Sequence, residues 1–412
     1  MWRARAWFGA GLLALAAIGA SCVVWSLWSS ERVSAARVPE LTVAQLRHLD
    51  ENLEARADAM QGLFPEGRVF TLALYGAAWS DAATADSGVT ATARQQCRRA
   101  LSAVLNPRSL SPFGPAGGLP HGMFYEAWSN WLRVKCWQLE PNATERVRTD
   151  LAFTASCDRL ERAVRERGPF VESYAGSAWP ADTVVGVASL SWCAKWLGSP
   201  YADSVQRWLR EAQGTLDPVT GLLPHSAETH DARGSSAALI SAFLPEIDRE
   251  FSRVHYGRFR SAFDTSLFGV LPAVLEYPPG REGQADVDSG PLIQGVSGPA
   301  TIVAIAAARA HGDLATALAL RRAAETIGLP LEWRGKRSYG LALLPVGEAF
   351  LAWSSAILPR ATGPAQVPTV SEHRARFRWL CAVSLLGCAA LVACSHKLRR
   401  SELRPSVSGR EI

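Results

Sequence analysis

Apolar and polar positions alternate along this chain on two scales. In some segments the apolar residues recur every three or four positions with charges between them, as at Leu46, Leu49 and Leu53. That spacing marks a helix with one wet face. It predicts amphipathic helices over 41–60, 90–105, 143–167, 201–213, 247–263 and 313–327. Between them lie helical segments that are apolar all round and rich in small residues. These begin near Pro65, Pro120, Pro180, Gly234, Gly290 and Pro345, at intervals of 55, 60, 54, 56 and 55 residues. A helix without a polar face has to be surrounded by protein, and a steady period is the signature of a repeated architectural unit. Six buried helices covered by six amphipathic ones close into a ring that leaves no apolar edge in water, with 41–60 supplying the sixth cover. The predicted fold class is therefore all-α.

Each apolar helix is entered through a loop with Pro or Gly, and most of these loops carry polar side chains. The fullest is Asp286-Val-Asp288-Ser-Gly-Pro, followed by an apolar run that continues to Ala308. It reads as an acid-bearing loop passing into a buried helix, with Asp288 or Ser289 as the cap and Pro291 in the first turn. In a closed ring the six entries gather at one mouth, where helix N-termini offer free N–H groups and positive potential. This arrangement resembles the (α/α)6 toroid of the six-hairpin superfamily of glycosidases, related lyases and sugar epimerases. The resemblance covers about residues 41–357 and rests on the period and the entries. In outline the chain is also similar to linalool dehydratase-isomerase, which uses the same toroid on terpene alcohols. The entry Trp179-Pro180-Ala181-Asp182-Thr183 looks like that of an inner helix in unsaturated-uronyl hydrolases. No catalytic assignment is carried over from that pentapeptide.

The chemistry expected at the mouth comes from the polar residues at those entries. Asp182 and Asp288 are the candidate acid/base carboxylates, one of them needing burial to raise its pKa. Capping or the helix dipole is the plainer role for each. His121, Tyr125 and His225 are candidate assistants, since histidine exchanges protons near neutral pH. Trp179 is a stacking candidate. Glu126, Glu228, His230, Tyr277, Asp286 and Glu348 complete the expected substrate-binding set. The spacing of His225, Glu228 and His230 fits no helical metalloprotease motif, so no metal is expected. Without a phosphate-cradling loop or dinucleotide fingerprint, no cofactor is expected either.

Composition narrows the classes further. With 48% hydrophobic residues and 15 Trp the chain is globular. Its net charge of +5 is modest and its Arg residues are scattered, which argues against nucleic-acid binding. Residues 7–28 form an uncharged apolar stretch led by Arg3 and Arg5, and residues 379–395 form a second one flanked by arginines and Lys397. Both are long enough to be read as transmembrane helices. They predict a protein of the bacterial inner membrane, in contact with the lipid bilayer, whose main domain (41–359, between linkers 29–40 and 360–378) is periplasmic or extracellular. Of eight Cys, Cys97, Cys136, Cys157 and Cys193 lie in that domain. They permit two disulfides in three pairings, but their apolar helical settings favour buried free thiols.

The reading that follows is a membrane-tethered enzyme acting on a carbohydrate or uronate by acid/base hydrolysis or elimination, with a small-molecule or oligosaccharide substrate. A cofactor-independent dehydratase or isomerase of an apolar alcohol is the second reading, in which Cys136 and Cys193 would matter more. A non-catalytic envelope scaffold is the third, with Asp182 and Asp288 spent on caps and arginine pairs.

Overall fold

The computed structural model describes residues 32–360 without a break, together with 13, 15–22, 24–26, 29–30, 382–383 and 386–387. Amphipathic helices α1 (Val38–Asp50) and α2 (Leu53–Gln61) lead into apolar α3 (Gly67–Ala85). The alternation continues with α4 (Thr90–Val104), α5 (Gly122–Gln138), α6 (Leu151–Arg167), α7 (Pro180–Leu197), α8 (Tyr201–Gln213), α9 (Gly234–Phe243), α10 (Arg249–Phe263), α11 (Gly298–Ala310), α12 (Leu314–Ile327) and α13 (Pro345–Ala356).

The apolar helices α3, α5, α7, α9, α11 and α13 pack in cyclic order, each on the next and the last on the first. They run the same way. Near their starts, the ring of Phe70 lies 4.9 Å from Phe124 and 5.2 Å from Phe350. Near their ends, Phe243 lies 5.1 Å from Trp131 and 5.6 Å from Trp353. The other entries are tied to these. Met123 N–H of α5 donates to the Glu172 carbonyl before α7, and Ala227 N–H before α9 to the Ala178 carbonyl before α7. Gly234 N–H of α9 donates to the Glu276 carbonyl, whose own N–H donates to the Gly295 carbonyl before α11, so all six lie at one end. The amphipathic helices cover the outside with their apolar stripes. In α8 that stripe is Tyr201, Val205, Trp208, Leu209 and Ala212, all buried. The two layers share one core cluster. Each fully buried aliphatic such as Leu46 contributes about 1.5–3 kcal/mol to it.

The four body cysteines are bonded, not free. Cys97–Cys136 ties α4 to α5, and Cys157–Cys193 ties α6 to α7. Each joins an outer helix to the next inner one, a proximity that arises only once the two layers have stacked.

Two small sheets correct the all-α expectation. Strands β1 (Asp264–Leu267), β2 (Leu271–Leu275), β3 (Leu292–Ile293) and β4 (Val296–Ser297) form an antiparallel sheet in the order β1-β2-β4-β3. A separate hairpin pairs β5 (Leu331–Trp333) with β6 (Lys336–Ser338). The first sheet also displaces the fifth helix entry. Gln294 and Gly295 both have positive φ (53° and 76°), the backbone of a two-residue hairpin turn. The chain doubles back there, and α11 starts only at Gly298, capped by the Ser297 hydroxyl, which accepts from Ala300 N–H at 3.1 Å. Neither Asp288 nor Ser289 caps a helix.

The expectation of flanking transmembrane helices is overturned, and with it integral membrane placement: among the described residues no helix is long and apolar enough to cross a membrane. Of the described residues of 7–28, Ser26 is buried and its hydroxyl donates to the Thr326 carbonyl of α12, whereas Leu15, Ile18 and Trp25 are exposed. The rest of 7–28, and all of 379–395 except 382–383 and 386–387, lie outside the described residues.

Candidate functional site

Glu66 stands one residue ahead of α3, in a tight approach. A Cβ on Gly67 would fall 2.3 Å from the Met60 carbonyl oxygen, so the chain turns there only with glycine. Ser173 and Tyr174 belong to the loop that enters α7, and Asp182 lies in the first turn of that helix. Asp286 and Asp288 come from the segment between β2 and β3. Arg233 precedes α9, whose Gly234 N–H donates to the Glu276 carbonyl at 2.8 Å. A Cβ on Gly234 would fall 1.9 Å from the Leu275 carbonyl oxygen. That close approach sets Arg233 beside Glu276.

The centre of the mouth is acidic. Asp182 is 7% exposed and accepts from the Ser173 hydroxyl at 2.6 Å. Burial raises its pKa from the usual 3.8 to about 7; the charges of Asp288 and Glu66 add to the rise, while Ser173 and the indole of Trp128 oppose it. Trp128 Nε1 is buried and makes no hydrogen bond of good geometry, yet it faces this carboxyl closely enough to be felt. Asp288 is exposed to solvent, with protein crowded on its other sides. That burial, with Asp286 and Glu66, raises its pKa to about 6 against the pull of Arg233. The Tyr174 hydroxyl donates to Glu66 Oε1. Burial and then that bond push the phenol well above its usual range, so it stays protonated.

A second layer holds Arg233. Its Nε donates to Glu276 Oε1 at 2.7 Å and its Nη1 to Asp286 Oδ2 at 2.6 Å. The guanidinium lies 5.1 Å over the Tyr277 ring, and its Nη2 is buried without a partner. Burial works against the ionised form of Asp286, but the hydrogen bonds from Arg233 and Ser289 hold its pKa below the usual range. His225 accepts from Arg233 through Nε2 at 3.2 Å, because a guanidinium only donates. Its Nδ1 then carries the hydrogen and donates to the Ser236 hydroxyl. Burial, followed by Arg233, lowers its pKa to about 4, so the ring is neutral at pH 7. Trp179, half-buried at the rim, lies 4.9 Å from this imidazole.

The structure thus brings together Trp179, Asp182, His225, Tyr277, Asp286 and Asp288. Other predicted residues point elsewhere. The Tyr125 hydroxyl donates to the Val104 carbonyl of α4 at 3.1 Å, between the layers. Glu126 pairs with Arg159 of α6 at 3.2 Å. His121 rests against the Phe113 carbonyl at 3.3 Å and the edge of Tyr125. Glu228 braces its own loop, accepting from Ala178 N–H at 3.2 Å and from the Ser226 hydroxyl. His230 is exposed on the same loop. Glu348 is buried between α13 and the outer helices, accepting from Tyr339 N–H at 2.6 Å with Arg56 and His48 each 3.7 Å away. Among the described residues no group of His, Cys, Asp and Glu is placed to hold a metal ion.

Sequence reasoning missed Glu66, Tyr174 and Arg233. Glu66 was within reach, because Pro65-Glu66-Gly67 puts a carboxylate at a helix entry just as the other loops do. Tyr174 and Arg233 carried no such mark. Comparison with known proteins finds no family model that matches the chain and no curated protein with significant similarity, so the functional reading rests on the geometry of the mouth.

Proposed function

We propose that the mouth is the active site of an enzyme that cleaves glycosidic bonds by general acid and base catalysis. One observation carries the reading: Asp288 stands near enough to Asp182 for its charge to act on it, and burial raises both pKa values, to about 7 and about 6. Near neutral pH one carboxyl of such a pair holds a proton while the other is ionised, the division of labour that glycoside cleavage needs. Asp182, the more deeply buried, is the proton donor to the leaving oxygen. Asp288, open to solvent, is the ionised partner. Tyr174 is a neutral donor beside them, and Trp179 offers a half-exposed aromatic face to a sugar ring.

Neither aspartate is consumed by a cap or an arginine pair, as the scaffold reading required. Cys136 and Cys193, which would have mattered more in the dehydratase reading, are both held in disulfides. The test is a panel of defined oligosaccharides, assayed for reducing ends with wild type, Asp182→Asn and Asp288→Asn. Each variant is expected to lose about 10²–10⁴-fold in kcat while remaining folded. The wild-type kcat/KM should trace a bell with limbs near the two raised values, about 6 and about 7. Turnover unchanged in both folded variants refutes the assignment.

A further inference from the structure

The β5–β6 hairpin is no part of the chemistry described above, yet it is the most apolar exposed feature of the body. It lies in the connection that enters α13, residues 328–344, and so at the mouth end of the ring. Leu331 and Trp333 leave β5 on the same side, because side chains alternate along a strand, and they are 48% and 74% exposed. Ile327, Leu329, Leu343 and Leu344, which flank the hairpin in the chain, are exposed as well. Among the described residues, the connections at the opposite end of the ring expose no large apolar side chain. A concentration of this kind marks a surface that meets something other than water. The fold also holds it in place. The other side of the hairpin carries Glu332 and its register partner Arg337, which pair with each other. Arg337 is buried and pairs in addition with Glu325 of α12, which receives Arg321 at 2.8 Å and the Tyr339 hydroxyl at 2.5 Å. Lys336 pairs with Glu51 at the end of α1. Breaking a buried ion pair is costly, so the hairpin is fixed with Leu331 and Trp333 outward.

Charge decides what this face meets. Residues 327–344 carry Arg334, Lys336 and Arg337 against a single acid, Glu332. Arg334 and Gly335 form the tight two-residue turn, with φ of 50° and 73°. The Arg334 guanidinium lies 5.6 Å over the Trp333 ring, is exposed, and makes no ion pair among the described residues. An indole beside an unpaired arginine, among leucines, matches the boundary of a bilayer, where rings and aliphatic chains enter the acyl edge and cations meet phosphate. A symmetric contact between two copies would instead bring the face against itself, setting one Arg334 against the other. The apolar surface also continues onto the N-terminal segment. The bond from Ser26 to Thr326 joins the neighbours of Trp25 and Ile327, both of them exposed.

We propose that the β5–β6 hairpin docks the protein on an anionic lipid surface, with Leu331 and Trp333 entering the acyl boundary and Arg334 meeting lipid phosphate. The contact is adsorption through one face and needs no helix to cross the bilayer. It stands independently of the reaction proposed for the mouth.

The test is flotation of the full chain with vesicles of phosphatidylcholine alone and of phosphatidylcholine with about 30% phosphatidylglycerol. The wild type is expected to bind the anionic vesicles at least about tenfold more tightly than the neutral ones, a margin that shrinks as ionic strength rises from about 0.05 to 0.5 M. Because residues 7–28 are apolar themselves, substitutions within the full chain isolate the hairpin. Leu331→Thr with Trp333→Thr should weaken binding to both kinds of vesicle by about tenfold or more. Arg334→Asp, a residue that tolerates the positive φ, should lower binding to the anionic vesicles alone. Both variants alter exposed side chains, so their melting temperatures should match the wild type. No vesicle binding by the wild type, or equal binding by the wild type and both folded variants, overturns the proposal. So does dimerisation without lipid that the double variant abolishes, because the face then belongs to a second copy.

Discussion

Replacing Asp182 by Asn tests whether the mouth stores an unfavourable buried charge. In the unfolded chain this carboxyl has the ordinary value of 3.8, and in the native protein it is raised to about 7. The native state therefore holds the proton over a pH range in which the unfolded state has lost it. Its contribution to stability is fully present below about pH 4 and is lost as pH rises through 7. A shift of about 3 units corresponds to about 4 kcal/mol, of which about 3 kcal/mol falls between pH 5 and pH 9. Asn keeps an acceptor for the Ser173 hydroxyl and removes the titration. Urea unfolding of both proteins at pH 5, 7 and 9 reads the effect. The variant should gain about 3 kcal/mol relative to wild type across that range, whatever its offset at pH 5. A change in packing or hydrogen bonding displaces the two profiles without tilting one against the other. Parallel profiles would mean that Asp182 is ionised at neutral pH in the folded protein. The proton-donor role would fall with that result.

The disulfides close loops of 39 and 36 residues, so each is expected to stabilise the fold by about 4 kcal/mol through the unfolded chain. Thiol titration of denatured, unreduced protein should leave Cys97, Cys136, Cys157 and Cys193 unreactive, so that at most four of the chain's eight cysteines react; eight reactive thiols before reduction would disprove both bonds. Gly234→Ala places a methyl 1.9 Å from the Leu275 carbonyl, pressing β2 and Glu276 away from Arg233. It should destabilise by about 1–3 kcal/mol and depress turnover. Gly257→Ala, on the exposed face of α10 with nothing within 4 Å, should instead be neutral or stabilising by about 0.5–1 kcal/mol. Equal chemical-denaturation midpoints for the two variants would show that the approach at Gly234 is not tight.

Local rules determined the helices of this protein. Five apolar helices begin at Gly67, Gly122, Pro180, Gly234 and Pro345, within two residues of the entries read from Pro and Gly, because caps, breakers and periodicity act over a few neighbouring residues. The fifth entry failed for a related reason. Two strands of two residues each are too short to leave a period, so the β3–β4 hairpin was read as the helix start, and α11 begins eight residues later than Gly290. Which polar side chains meet was decided by the tertiary structure alone. Asp286 and Asp288 are two residues apart, yet one is held ionised by Arg233 and the other is left unpaired with its pKa raised, because their partners come from elements more than fifty residues away. Tyr125 looked suited to the mouth and faces α4, whereas Tyr174, in a loop without periodicity, reaches Glu66 across 108 residues of chain. The cysteine pairing follows the same rule. A contact between side chains far apart in sequence exists only after the ring has closed, and nothing in the neighbouring residues records it.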